Sequence, residues 1–407
     1  MKVAYVVSRF PLVTQTFILR ELDRLDRLPN FKVELHALFP GGDAVVHEEA
    51  RRWLARCRHT RPLAALAATV AWTTERPRTM ARVFAHALRH YAASPRMLAK
   101  TLATAFATMQ HARAVRAAGV THVHAHFATY PAFAAWAIAQ LTDVTYSVTP
   151  HAHDIFIAQT GLRPKLGAAA GVVAVSDYHW MYLQHFGARP ERLWRIRYGI
   201  DVRAYPFRAR ELPAEGPLDV LVVSSFKPYK GHRVLLEALA LGDEELRRLH
   251  VELIGAGPLE PELRALAEQL GVAGQLRFAG ARDQAYVRER LAQAHLLVQP
   301  SIVQDDGDTE GLPNTLIEAA ASGVPAVGTR VAGVPELIED GVTGFLAEQG
   351  SPVALRDALL RALAAGAAVE PITRAARARV ERDHDLDAVV RALAAAFAQA
   401  AGVPAPR

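Results

Sequence analysis

Pro300-Ser301-Ile302-Val303-Gln304-Asp305-Asp306-Gly307-Asp308-Thr309-Glu310-Gly311-Leu312-Pro313-Asn314-Thr315-Leu316-Ile317-Glu318-Ala319 follows an apolar strand, His295-Leu296-Leu297-Val298-Gln299, and leads into a helix. Pro313 suits the first helical turn, where a missing N–H costs nothing. The N–H groups of Gly311, Leu312 and Asn314 are expected to be free there, backed by the positive end of the helix dipole. Such an end binds anions. Glu310 precedes the helix and Glu318 lies within it. Each carboxylate can accept two hydroxyls, so the pair suits a polyol attached to a phosphate.

The block E-G-L-P-N-T-L-I-E-A, from Glu310 to Ala319, resembles the signature of retaining glycosyltransferases of family 4, which have the GT-B fold. A-S-G-V-P-A-V-G-T, G-V-P-E-L-I and G-V-T-G-F-L, further on, are similar to that family too. The resemblance implies that Glu318 holds the ribose of a nucleotide-sugar donor and Glu310 the hydroxyls of its sugar. It also implies an α/β architecture: two Rossmann-like domains facing across a cleft, with the C-terminal helix crossing back to the N-domain.

Around this block the chain reads as strands alternating with helices. Ser224-Ser225-Phe226-Lys227-Pro228-Tyr229-Lys230-Gly231 resembles the family's G-R-L-x-x-x-K-G loop, where an arginine and a lysine neutralise the diphosphate. Lys230 matches the lysine; Ser225 stands at the arginine position, so either Lys227 or an arginine elsewhere compensates or donor binding is weak. Gly255, in Ile254-Gly255-Ala256-Gly257, is read as a turn that lets a ligand approach the backbone. With Arg277 and Phe278 it resembles the family's nucleobase pocket. Asp305, Asp306 and Asp308 mimic a D-x-D metal motif, but the resemblance implies neither a metal ion nor any other cofactor.

The first half carries the histidines. In Thr149-Pro150-His151-Ala152-His153-Asp154-Ile155-Phe156 the run resembles the family's histidine loop facing the donor sugar. His151 matches best and is read as catalytic, with His153 and Asp154 beside it on the acceptor side; a neutral imidazole can donate to a sugar hydroxyl. His122, His124 and His126 alternate along a strand and so share a face. They invite a zinc reading that no cysteine and no H-x3-H helix supports. Phe10-Pro11-Leu12-Val13-Thr14-Gln15-Thr16-Phe17 follows the first strand and resembles the version of this loop found in bacterial exopolysaccharide transferases of the colanic-acid type. Thr14 or Thr16 is expected to cap the helix and face the acceptor.

From about His47 to Ala117 the sequence reads as a basic helical insertion, rich in alanine and arginine. It is either a solvated arginine face or an element touching anionic lipid or a lipid-linked acceptor. Domains are expected at 1–205, 206–384 and 385–407, the boundary falling in the Pro- and Gly-containing stretch Tyr205 to Asp219. The 407 residues suffice for two or three cores. No apolar run is long enough to span a bilayer. The single cysteine, Cys57, fits a reducing cytoplasm, and any membrane association is expected at the inner face. A net charge of +6 favours acidic partners. No nucleic-acid recognition module is evident.

Together these readings imply a metal-independent retaining hexosyltransferase that uses a UDP- or GDP-sugar and a glycan or lipid-linked acceptor, in surface polysaccharide synthesis. A GT-B sugar-nucleotide epimerase, a phosphorylase, or a non-catalytic nucleotide-sugar-binding protein are the alternatives.

Overall fold

The computed structural model describes residues 1–11, 16–41 and 48–405, and it divides into two units. The first comprises Met1–Gly199 and Leu386–Arg407, the second Ile200–Asp385.

In the first unit, β1 (Lys2–Phe10), β2 (Lys32–Pro40), β3 (Arg58–His59), β4 (His122–His126), β5 (Thr145–Thr149), β6 (Gly171–Ala174) and β7 (Leu193–Arg195) form one sheet. Its order is β3-β2-β1-β4-β5-β6-β7, with every pairing parallel. Parallel strands are covered on both faces, which is why they read as nearly unbroken apolar runs. Val3, Ala4, Tyr5, Val6 and Val7 are all fully buried.

Residues 48–117, expected as an insertion, form part of this sheet and its cover. They supply β3, which the sequence did not reveal, and helices Glu48–Leu54, Pro62–Glu75, Pro77–Tyr91 and Pro95–Ala117. Prolines at the first position start the last three, where the missing N–H does no harm. Trp72, Val83, Met109 and Val115 share a core with Val6, Val123 and Phe133. The final helix, Leu386–Ala401, packs Val390, Leu393 and Phe397 among Tyr5, Val7 and Leu22. It is separate from helix Val369–Asp383.

In the second unit, β8 (Leu218–Val223), β9 (Leu249–Ile254), β10 (Leu276–Gly280), β11 (Leu296–Gln299), β12 (Ala326–Thr329) and β13 (Phe345–Ala347) are again parallel. Their order is β10-β9-β8-β11-β12-β13. The stretch 205–219, read as a linker, is bound into this unit. Arg210 donates to the carbonyls of Leu291, Ala294 and Ser322, and Leu212 N–H reaches Gly366 O. Burial pushes the Arg210 guanidinium down to about 10.

Both sheets reverse direction once, between β1 and β4 and between β8 and β11. Loops leaving the carboxyl ends of two such neighbours diverge, and ligands collect between them.

Candidate active site

The loops after β8 and β11 meet at one glycine. Gly231 has φ +68°, and a Cβ there would lie 1.8 Å from Pro300 O. Only glycine tolerates both the conformation and the approach. Ile302 N–H donates to Tyr229 O at 2.8 Å, locking the loops together. Lys230 Nζ consequently donates to Glu310 Oε2, while Gln299 Nε2 donates to Glu310 Oε1 at 3.0 Å. Glu310 is buried. Gln299 went unnoticed in the sequence. Its signal was an amide ending an otherwise apolar strand, and it also reaches Ser301 Oγ at 2.9 Å.

Gly311 is held from the other side, where its carbonyl accepts Gly333 N–H at 3.0 Å. The helix spans Asn314–Ser322, so Pro313 precedes its first turn as the N-cap residue, with ψ 125°, and does not lie inside it. Among the described residues no protein acceptor takes the N–H of Gly311, Leu312 or Asn314, and Thr315 Oγ1 is buried without a partner. Unmatched donors at a helix N-terminus, next to a lysine, suit an anion. Glu318 is buried on the same helix.

Ser225, at the position where the resemblance implied an arginine, lies against the Tyr229 side chain. Lys227 Nζ lies 6.0 Å and Lys230 Nζ 5.2 Å from the Tyr229 ring centroid, so Lys227 is the second cation of this loop. Gly255 has a different reason from the one expected. Its Cβ would meet Ser224 O at 1.9 Å, and that of Gly257 would meet Phe226 O at 2.5 Å. The backbone that approaches these glycines is the chain's own, and the close contact sets the height of the lysine loop. Arg277 and Phe278 lie on β10, an edge strand with backbone groups left over for a ligand. The Arg277 side chain turns to Glu252 at 3.4 Å. Arg264 covers Phe278 at 4.0 Å. Asp306 Oδ1 is engaged by Asp308 N–H at 2.9 Å, shaping the loop.

In the first unit, His151 follows β5, next to the loop that leaves β4. That loop turns at Phe127, whose φ of +76° is strained for a non-glycine residue. The His151 ring packs against Phe127 and Phe17 with centroids at 4.5 and 4.9 Å. Both its nitrogens are engaged: Nδ1 with Tyr198 Oη at 2.9 Å and Nε2 with His126 Nδ1 at 3.2 Å. Burial, followed by His126 and His179, holds it well below the usual imidazole range, so it is neutral. The free donor expected of His151 is therefore absent. Asp154 also departs from expectation. It is buried, and its Oδ2 accepts the N–H of Ala128 at 2.6 Å and of His151 at 3.1 Å, so it builds the loop and does not face an acceptor. Burial raises its carboxyl to about 6. His153 is exposed. Thr14 lies outside the described residues, and of Thr16 only its place as first residue of helix Thr16–Asp26 is described.

Glu21, His124 and His126 have ligand atoms within 4.8 Å of one another. Protein groups already occupy both nitrogens of each ring: Ser147 and Thr149 for His124, Glu21 and His151 for His126. In this structure the three groups belong to one hydrogen-bond network.

Two parallel sheets, each with its single reversal of strand order, are the GT-B arrangement, and the second unit carries an acid–lysine pair at a helix N-terminus. Residues 206–379 match the model of the family Glycosyl transferases group 1. The chain is 28% identical to the amylovoran biosynthesis glycosyltransferase AmsK of Erwinia amylovora, over 97% of this chain and 98% of that protein. It is 31% identical to the putative colanic acid biosynthesis glycosyltransferase WcaL of Escherichia coli, where the match spans 55% of each chain. Among solved structures, Anabaena HepE with UDP-glucose has a TM-score of 0.73 at 17% identity, covering 98% of this chain and all of that one (100%). Sucrose-phosphate synthase of Thermosynechococcus elongatus has 0.74 at 18%, covering 98% of both. At that identity the likeness shows the fold.

Proposed function

We propose that the chain transfers a hexose-type sugar from a UDP- or GDP-sugar, with retention and without a metal ion, to a glycan or lipid-linked acceptor in exopolysaccharide synthesis. The juxtaposition of Lys230, Glu310 and the free N–H groups of Gly311, Leu312 and Asn314 carries this reading. As the bond to the diphosphate breaks, negative charge grows on the leaving oxygen. A fixed ammonium and aligned N–H groups stabilise that charge with little reorganisation. Glu310, beside the lysine, holds the sugar next to its diphosphate. Glu318 takes the ribose, and the edge of β10 the base. The names of AmsK and WcaL favour an exopolysaccharide product, and the UDP-glucose complex of HepE favours a UDP-sugar.

A membrane-borne acceptor is favoured by helix Pro62–Glu75. Leu63, Leu66 and Val70 are 83%, 53% and 59% exposed along one stripe, and Arg78, Arg89, Arg96 and Lys100 are exposed on the next two helices. Apolar side chains beside uncompensated arginines suit an anionic bilayer surface.

Thermal-shift titration with UDP- and GDP-sugars, with and without EDTA, tests the donor. Stabilisation by one donor that EDTA leaves unchanged is expected, and stabilisation that EDTA abolishes would overturn metal independence. The product's anomeric configuration, read by NMR, tests retention. A free epimer of the donor sugar would identify an epimerase.

A further inference from the structure

We propose that Glu21, acting through His126, fixes the tautomer of His151 so that its Nδ1 can only accept a hydrogen bond. An ionised carboxylate accepts and never donates. Glu21 Oε1 lies 3.1 Å from His126 Nε2 and also accepts from Tyr5 Oη at 2.5 Å. A neutral His126 must therefore carry its proton on Nε2, which leaves Nδ1 as a bare lone pair. That lone pair faces His151 Nε2 at 3.2 Å, so His151 must donate from Nε2. His151 Nδ1 is then bare in turn, and Tyr198 Oη donates to it at 2.9 Å. The direction of every bond in the chain follows from the one group that cannot donate.

The surroundings leave no competing route. His126 and His151 are 1% and 7% exposed, and both nitrogens of His124 go to hydroxyls of Ser147 and Thr149. His126 and His151 are stacked at an interplanar angle of 19°. Resting on the reading of His151 as the sugar-side histidine, the consequence is specific. A substrate hydroxyl that takes the place of Tyr198 must give its hydrogen to His151, leaving its oxygen more electron-rich. Glu21 and His126 are thus positioning residues.

The test is 15N spectroscopy of the imidazoles in the full chain labelled at histidine, with His151 assigned by its loss in His151→Asn. His151 and His126 are expected to show protonated Nε2 and bare Nδ1. A protonated Nδ1 on His151 in the unmodified protein overturns the proposal without any variant. Glu21→Leu and His126→Phe each cut the chain at a different point, and His151 should then populate both tautomers. Retention of the Nε2–H form alone in both refutes the role of Glu21. In a transfer assay Glu21→Leu should lower kcat about tenfold, with donor KM within about twofold of the original; an unaltered kcat counts against the consequence for catalysis. If the unmodified protein transfers no sugar, the functional reading fails, and the tautomer result stands or falls separately.

Discussion

Lys230 and Glu310 lie eighty positions apart and are brought together by a residue with no side chain at all. Gly231→Ala forces a Cβ into Pro300 O at 1.8 Å and a side chain into φ +68°. It should destabilise the second unit by about 1–3 kcal/mol, and denaturant unfolding of that unit would measure it. On the proposed function, Lys230→Ala removes a charge-assisted contact from the diphosphate. Donor affinity should fall by about 1.5–3 kcal/mol, roughly tenfold to a hundredfold, as read by calorimetry. Glu318→Ala should weaken donor binding by a similar amount; unchanged affinity in both variants would refute the donor assignment. At this scale the sequence singled out Glu310, Glu318 and Lys230 as candidates, the acids by their spacing and the lysine by its resemblance to a family loop. It was not legible for Gln299 or Glu21, whose roles exist only through partners distant in the chain.

At the scale of elements, the histidine loop shows where motif reading ends. Besides Thr149, T-P-H-A-H-D offers three polar side chains, and burial sorts them. Asp154 turns inward to tie two backbone N–H groups, His151 joins a buried chain, and His153 stays in solvent. The helix Pro62–Glu75 makes the opposite point. It carries no charge between Arg61 and Glu75, yet only one side of it is buried, by Ala65, Ala68 and Trp72. An apolar helix is ordinarily enclosed. Replacing Leu63, Leu66 and Val70 together by glutamate should abolish flotation with anionic vesicles and leave the thermal midpoint unchanged, since none of the three contributes to the core. Flotation equal to that of the original protein would exclude this face.

Across the whole molecule, the distribution of buried histidines sets the response to acid. His111 and His179 are held at about 4 and His122 at about 3, in each case chiefly by burial, and His36, His124 and His151 are shifted the same way. All belong to the first unit. An imidazole depressed in the folded state binds protons more tightly when unfolded. Its contribution is complete above its ordinary value of 6.5 and is lost as pH falls towards its folded value. A shift from 6.5 to about 4 corresponds to roughly 3 kcal/mol when fully titrated. Asp154 acts oppositely: its neutral form is favoured, so its destabilising effect grows as pH rises from about 4 to about 6. The histidines outnumber it, so the first unit should unfold on acidification through the range 6.5 to 4. All five tryptophans, Trp53, Trp72, Trp136, Trp180 and Trp194, lie in that unit. Their fluorescence should therefore change at a higher pH than far-UV ellipticity, which both units share; coincident transitions would contradict this.

The amino-acid sequence alone determined the two parallel α/β units and marked Glu310, Glu318 and Lys230 as candidates, because strand periodicity and motif spacing are local properties of the chain. Tertiary structure alone decided three other things: that residues 205–219 belong to the second unit, that the chain's own backbone packs against Gly255 and Gly257, and that Tyr198 and His126 take both nitrogens of His151. Each depends on which groups meet once the strands are ordered. A hydrogen bond between distant residues leaves no period in the sequence, and the direction of a proton is set by its neighbours in space.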